Sequence, residues 1–237
     1  MIKGFPRPMA RLIEELELAQ EDLYPTEGFT AFADLMQLYT QLDLPRLKDR
    51  AQPPLPVPQL DSRQSIFEAI ARNDILLMYP YQSFDDSVVR FVRDAAEDPK
   101  VLAIKITLYR TSPASPIASA LERAAERGKQ VAATVELRAR FAEEANIAWA
   151  RRMEKAGVHV VYGMLSYKTH CNICLVIRQE PGGIRRYCHL STGSYNERAS
   201  RLYSDIGLFT ARQEFGDRQV LGQSRTPRTA KRSLRSR

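Results

Sequence analysis

The chain has 237 residues, 44% of them apolar and 27% charged, which is enough for one α/β domain with a smaller appendage and excludes a disordered chain. The formal net charge of +7 lies entirely in residues 218–237: of 35 Lys and Arg, seven are in that tail, leaving 28 bases against 28 acids in residues 1–217. A nucleic-acid groove would keep its positive charge without the tail, so the composition argues against a specific nucleic-acid partner.

No stretch has the length of a membrane-spanning helix, and the N-terminus lacks the apolar run of a signal peptide. The sequence therefore predicts a cytoplasmic protein without a membrane span. Its three cysteines, Cys171, Cys174 and Cys188, are an odd number, which indicates a reducing compartment rather than a disulfide framework.

Two helical patterns open the chain, over 9–22 and 29–41. Five of the fourteen prolines then fall within 45–58, which predicts an extended linker. We therefore divide the chain into a helical segment (1–44), a Pro-rich linker (45–62), an α/β domain (63–211) and a disordered basic tail (212–237).

The α/β domain alternates apolar runs with helical patterns. We predict helices at 64–73, 86–96, 117–127 and 143–156, and strands at 75–79, 101–109, 131–137 and 158–163. Two further strands, 172–179 and 184–191, flank a Pro-Gly-Gly turn, and a last one covers 205–210. This order predicts a mixed, mainly parallel sheet with flanking helices.

Three polar residues follow successive strands. Arg110 and Arg140 come after the second and third strands, and His170 comes after the fourth, each thirty residues from the last. Right-handed crossovers bring the carboxyl ends of such strands to one edge of the sheet, so we expect these side chains to converge. Two guanidinium groups match phosphate oxygens, and an imidazole beside them suggests phosphoryl transfer through a phosphohistidine.

The other two histidines leave alternatives open. His159 sits within a strand and is expected to be packed structure, whereas His189 could pack or could support the site. A zinc site drawing on His170, His189 and the three cysteines is the rival chemistry. It is disfavoured because residues 171 and 174 would point to opposite faces of a strand.

Several long motifs resemble the large polyphosphate kinases, whose catalytic region is similar to the phospholipase D superfamily. They are AIKITLYRTSPASPI (103–117), VELRARFAEEANIAWARRMEKAGVHVVYG (135–163), KTH (168–170), RRYCHLSTGSYNERASRLYSD (185–205) and GLFTA (207–211). The resemblance runs upstream through LLMYPYQSFDD (76–86) and covers about residues 10–211. It implies a phospholipase D-like first catalytic domain over 63–211.

The resemblance also implies roles for single residues. The histidine matching His170 takes a phosphoryl group from ATP and passes it to polyphosphate, and the aspartate matching Asp205 orients that imidazole. Arg110 and Arg140 match the arginines of the magnesium-phosphate site, which they contact through phosphate because guanidinium groups do not ligate Mg²⁺. Tyr203 matches a nucleotide contact, and Lys168 and His189 are possible supporting residues. The implied cofactor is Mg²⁺, with ATP or ADP and polyphosphate as substrates and a homo-oligomer as the assembly.

The chain departs from the family pattern after the histidine. The family has His-x-Lys, whereas this chain has His170-Cys171-Asn172, and Ala142 stands where an acid is common. The Arg-rich tail and the missing second phospholipase D-like domain suggest a truncated member. We therefore expect a polyphosphate kinase with weakened activity. The alternatives are a non-catalytic polyanion-binding fragment and, less favoured, a phospholipase D-type phosphodiesterase, which needs two His-x-Lys motifs.

Overall fold

The computed structural model describes residues 7–24, 34–50, 52–109, 115–136, 143–163 and 170–216. The chain divides into two compact units, Met1–Gln52 and Pro53–Arg237. The boundaries that the sequence analysis gave to its four segments stay a prediction. Within the described ranges, no helix is long and apolar enough to cross a membrane.

The part of the first unit that the structure describes contains two short helices, α1 (Arg7–Glu15) and α2 (Leu35–Gln41), with 3-10 turns at Gln20–Asp22 and Pro45–Leu47. The helix predicted over 9–22 ends early because Glu17 has a φ of 53°, which an α-helix does not accommodate. A new turn begins there, since the Asp22 carboxylate accepts a hydrogen bond from the Ala19 amide at 2.9 Å.

The described residues of the second unit form four helices and seven strands, close to the predicted positions. A 3-10 turn at Pro58–Leu60 precedes α3, and a π-type turn at Asp85–Val89 leads into α4. The helices are α3 (Ile66–Arg72), α4 (Arg90–Glu97), α5 (Pro116–Glu126) and α6 (Glu143–Lys155). The strands are β1 (Ile75–Tyr79), β2 (Val101–Leu108), β3 (Gln130–Val135), β4 (His159–Tyr162), β5 (Asn172–Glu180), β6 (Gly183–Ser191) and β7 (Asp205–Thr210).

The strands form one mixed sheet in the order β1-β7-β6-β5-β2-β3-β4. The predicted mixed sheet is confirmed, but its description as mainly parallel is wrong. Among the described strands, only β2–β3 and β3–β4 pair in parallel, and the other four pairs are antiparallel. The reason is that β5, β6 and β7 follow one another without a crossover helix, and successive strands without a crossover pair antiparallel.

Helices α3–α6 form one layer on the sheet, with α3 against β6 and β7, α4 against β2, α5 against β3 and α6 against β4. Aromatic side chains fill the space between the layers: Phe67 lies 5.0 Å from Tyr187 and Phe91 lies 5.3 Å from Phe209, between ring centroids. The other face of the sheet is more open and exposes apolar side chains of β1 and β7, namely Leu76, Met78 and Ile206.

The strand directions place several chain segments at the same end of the sheet. We call the end at which β2, β3 and β4 finish the upper end, and the other the lower end. The registers show that β1 and β6 also finish at the upper end, where β5 and β7 begin.

Candidate functional site

His170 lies at the upper end, two residues before β5, and its side chain is exposed. Its imidazole ring packs against the ring of Tyr109, with centroids 4.5 Å apart and planes tilted by 49°. The chain beside it is fixed by Thr107, a buried β2 residue. The Thr107 hydroxyl donates to the Cys171 carbonyl at 2.7 Å and accepts from the Ile173 amide at 3.0 Å.

The predicted phosphate contacts Arg110 and Arg140, and the supporting residue Lys168, lie outside the described residues. What the structure gives is the strands before the two arginines. Leu108 pairs with Val135 in the last rung of the parallel ladder, and the Glu136 amide donates to the Leu108 carbonyl at 3.0 Å. Tyr109 and Glu136 therefore leave the sheet side by side at the upper end. The convergence of the two guanidinium groups stays a prediction.

Asp205 begins β7 at the upper end. Its Oδ1 accepts a hydrogen bond from the Thr192 hydroxyl at 2.8 Å, and that hydroxyl accepts from the Ile206 amide at 3.0 Å. Gly193 is required beside it, because a Cβ there would lie 2.4 Å from Asp205 Oδ2. Strand β6 separates β7 from β5, a distance of roughly 10 Å between backbones. Within the described chain, no hydrogen bond joins Asp205 to His170, so its orienting role stays a prediction.

Tyr203 projects from the loop between β6 and β7, and its side chain is exposed. The loop itself is well anchored. The Asn196 side chain accepts hydrogen bonds from the amides of Arg198 and Ala199, both at 3.0 Å, which starts a 3-10 turn. Tyr195 is fully buried below that turn. The structure therefore presents Tyr203 to solvent on an ordered loop at the upper end, and its contact with a nucleotide stays a prediction.

His189 is a fully buried residue of β6, facing the helix layer. Its Nδ1 is hydrogen-bonded to the Tyr195 hydroxyl at 2.9 Å, and its ring lies 4.4 Å from that of Phe209. Burial lowers the pKa of His189 to about 3, so the ring is neutral at physiological pH. Its Nε2 has no hydrogen-bond partner among the described residues and faces Gly207, where a Cβ would lie 2.8 Å away. This side chain is bonded to Tyr195, in the loop that carries Tyr203, and its support of the site stays a prediction.

Asn172 occupies the position where the family has lysine. Its side chain is only 4% exposed, and its Nδ2 donates a long hydrogen bond of 3.4 Å to the Thr192 carbonyl. Its Oδ1 has no partner in the described part of the chain. The amide therefore supplies no positive charge to this side of the site.

The zinc alternative finds no support among the residues that the structure describes, where no group of three metal-ligating side chains occurs. Cys174 does lie opposite His189 in the β5–β6 ladder. However, burial raises the pKa of the Cys174 thiol far above its usual range, which disfavours the thiolate that zinc needs. His159, expected to be packed, is in fact exposed, because β4 is an edge strand and His159 begins it.

Two buried polar residues at the upper end were missed by the sequence analysis. Glu136 is 2% exposed and lies against Gly163, where a Cβ would come within 2.8 Å of its Oε2. Asn146, on α6, is 1% exposed and bonds to the backbone at the ends of β2 and β3. The signal for the first was a carboxylate near the end of an apolar strand pattern, but an asparagine in a helical pattern gave none for the second.

Comparison with known proteins identifies relatives over most of the chain. Residues 65–220 match the family described as polyphosphate kinase C-terminal domain 1. The polyphosphate kinase of Mycobacterium avium is 51% identical over 208 residues, which cover 86% of this chain and 28% of that protein. The polyphosphate kinase of Mycolicibacterium gilvum is 50% identical over 95% of this chain and 31% of its own length. The chain thus spans less than a third of these curated relatives.

Solved structures agree with this result. The crystal structure of polyphosphate kinase from Porphyromonas gingivalis has a TM-score of 0.69 and 34% identity, covering 95% of this chain and 36% of that one. NucT from Helicobacter pylori has a TM-score of 0.50 and 13% identity, covering 64% of this chain and 93% of that one. At that identity the likeness to NucT shows the fold alone. The α/β fold with a mixed sheet and flanking helices expected from the sequence is confirmed, while its phospholipase D-like character stays a prediction.

Proposed function

Because the chain belongs to the polyphosphate kinase family, we propose that it carries the phosphoryl-accepting half of a polyphosphate kinase site, with His170 as the nucleophile. The observation that carries this proposal is the exposed imidazole of His170 at the upper end, beside the strand that leads into Arg110. The other histidine near this end, His189, is buried and therefore a poor candidate for a group that must meet ATP.

In the proposed reaction an unprotonated ring nitrogen of His170 attacks the γ-phosphorus of ATP. A nitrogen–phosphorus bond forms, the bond from that phosphorus to the β–γ bridging oxygen breaks, and ADP leaves. A terminal oxygen of polyphosphate then attacks the same phosphorus, and the nitrogen–phosphorus bond breaks. The polyphosphate is longer by one phosphate, and the reverse sequence makes ATP.

The chain's own residues would bind and orient the reactants. Arg110 and Arg140 would hold phosphate oxygens bidentately, and Tyr203 would contact the nucleotide. The Oδ2 of Asp205, which makes no hydrogen bond within the described residues, is the oxygen left to hold the second ring nitrogen of His170. A carboxylate there fixes the tautomer and raises the nucleophilicity of the attacking nitrogen.

Magnesium fits this proposal as an ion carried by the nucleotide. Mg²⁺ commonly binds through substrate phosphates and few protein groups, and no group of three ligating side chains occurs in the described ranges. Its chemistry when bound is to offset charge on the phosphates. We further propose ATP or ADP and polyphosphate as the partners, while a homo-oligomeric assembly and a cytoplasmic location stay predictions.

The test is incubation of the purified chain with ATP labelled at the γ-phosphate, followed by phosphoamino-acid analysis. We expect an acid-labile label on His170 that is lost in His170→Gln. The matched control is His159→Gln, because His159 is also exposed but lies at the lower end, where β4 begins. It should label like the unmodified chain.

The labelling experiment, run beside a polyphosphate-binding assay and a phosphodiester-hydrolysis assay, separates the alternatives. Retention of polyphosphate on the chain with no labelling of His170 would favour the polyanion-binding fragment and contradict the kinase proposal. Release of product from a phosphodiester substrate would favour the phosphodiesterase. A label that persists in His170→Gln would show that another residue is the acceptor.

A further inference from the structure

Asn146 is a buried side chain of α6 that bonds to two strands at once. Its Nδ2 donates to the Tyr109 carbonyl at 3.0 Å and to the Glu136 carbonyl at 2.9 Å. Tyr109 directly follows β2, and Glu136 directly follows β3. One amide group therefore satisfies the first carbonyl beyond each of two neighbouring strands.

The two Asn146 hydrogen bonds begin where the parallel pairing of β2 with β3 ends. The last rung pairs Leu108 with Val135, and one more bond follows, from the Glu136 amide to the Leu108 carbonyl. Beyond it the register gives no further pair between the two strands, and the carbonyls of half-buried Tyr109 and buried Glu136 would cost free energy if left unpaired. The Asn146 amide joins the two backbones for one residue more, directly before the segments that contain Arg110 and Arg140 in the sequence.

Tyr109 connects this clamp to the imidazole. Its backbone carbonyl is held by Asn146, while its ring packs against the ring of His170 at a centroid distance of 4.5 Å. The next residue in the chain is Arg110. A shift of the Tyr109 backbone would therefore move both a predicted phosphate contact and a neighbour of the nucleophile.

We propose that Asn146 is a positioning residue: its amide fixes the ends of β2 and β3 and, through the Tyr109 ring, the orientation of the His170 imidazole. Its effect on phosphoryl transfer rests on the proposed function, but its effect on the imidazole does not. A misplacement of about 1 Å at a reacting group can cost a hundredfold in rate, so the clamp has a measurable consequence.

The first measurement is the NMR spectrum of the histidine ring protons in the full chain. In Asn146→Ala the shifts of His170 should move toward those of a free histidine, as they should in Tyr109→Leu, which removes the neighbouring ring. The His189 ring, packed on Phe209 and Tyr195, reports the fold and should keep its shifts. The matched control is Arg152→Ala, on the same helix but with its side chain paired to Glu122, which should leave His170 unchanged.

The second measurement is the rate of His170 labelling by ATP. We expect the rate constant at saturating ATP to fall about a hundredfold in Asn146→Ala and by a similar factor in Asn146→Ser, whose hydroxyl is polar but one bond too short to reach the two carbonyls. If Asn146→Ala does not fold, the serine variant carries both measurements. Unchanged His170 shifts in a folded Asn146 variant would overturn the proposal. An unmodified chain that shows no labelling would instead overturn the proposed function and leave the NMR result standing.

Discussion

The buried and half-buried polar side chains at the upper and lower ends of the sheet make different kinds of bond. At the lower end charges pair with one another: Arg178 contacts both Asp98 at 2.8 Å and Glu180 at 2.5 Å, and the Tyr187 hydroxyl donates to Glu180 at 2.6 Å. At the upper end the described polar side chains mostly bond to backbone groups, as Thr107 and Asn146 do. The lower end is thus closed by side-chain ion pairs, and the upper end by bonds that hold the backbone in place.

This difference suggests that the lower end contributes to the stability of the fold and that the upper end is free to bind a ligand. Charges neutralised by each other cannot bind a polyanion, whereas a backbone fixed by neutral hydroxyl and amide groups leaves nearby charged groups to a ligand. His170 and Tyr203 are exposed at the upper end, and Arg178 is mostly covered at the lower end. The predictions below test whether the two ends behave as this comparison requires.

The largest effect should come from breaking the lower end. Arg178→Ala would leave the carboxylates of Asp98 and Glu180, which are 18% and 22% exposed, without their cation. We expect the free energy of unfolding in urea to fall by about 3 kcal/mol. The control is Arg212→Ala, whose ion pair with Asp74 is exposed and should contribute less than about 1 kcal/mol. Equal losses in the two variants would contradict the distinction.

The next effect should appear at the upper end, in activity rather than stability. Asn172→Lys restores the cation of the family pattern beside His170, and one charged contact to a transferring phosphoryl group is worth on the order of a hundredfold in rate. We expect the initial rate of His170 labelling to rise by about that factor. Asn172→Gln is the matched variant, longer than asparagine but uncharged. If both variants label equally fast, the charge is not what the site lacks.

A smaller effect concerns pH. The pKa of His189 is lowered to about 3 by burial, against an ordinary value of 6.5, so the unfolded chain binds a proton that the folded chain excludes. Stability should therefore fall as pH drops from 6.5 toward 3, by about 1 kcal/mol between pH 7 and pH 5.5. In His189→Gln this part of the slope should be absent, while exposed His159→Gln should follow the unmodified chain. Parallel urea-unfolding profiles for all three would contradict a buried neutral ring.

The smallest effect should come from a surface ion pair of the upper end. Arg201 contacts Asp85 at 2.9 Å, but the two side chains are 66% and 50% exposed. Because solvent screens such pairs, Arg201→Ala should lower the free energy of unfolding by no more than about 0.5 kcal/mol. A loss as large as that of Arg178→Ala would mean that the loop carrying Tyr203 depends on this pair rather than on buried Tyr195.

Much of the fold could be predicted because its signals are local. Periodicity located the strands and helices from β2 through β4, and the Pro-Gly-Gly turn located the β5–β6 hairpin. The order of the strands could not be predicted in the same way. Placing β1 at the edge beside β7 depends on contacts between residues about 130 positions apart in the chain, which no local pattern records.

In the candidate site, too, the residues marked by local patterns could be predicted, and those that depend on tertiary contacts could not. Asp205 was assigned only from the family resemblance, whereas His170 could be assigned to one end of the sheet because strand ends are visible in the sequence. The clamp by Asn146 could not, since a polar residue in a helical pattern usually reads as solvent-facing. The burial of His189 was also left undecided, because a hairpin register gives the face of the sheet but not what covers that face.

Thr107 determines what an error in the register of β5 would do to the candidate site. Its hydroxyl fixes the register of β5 against β2, because it bonds to the backbone on both sides of Asn172. Since side chains alternate between faces along a strand, a register slip of one residue here would turn His170 and Cys171 each to the opposite face. An imidazole would be turned away and a thiol presented instead, with every strand still formed. Thr107, on the neighbouring strand β2, therefore determines which side chain is presented at the proposed site, although it has no proposed role in the reaction.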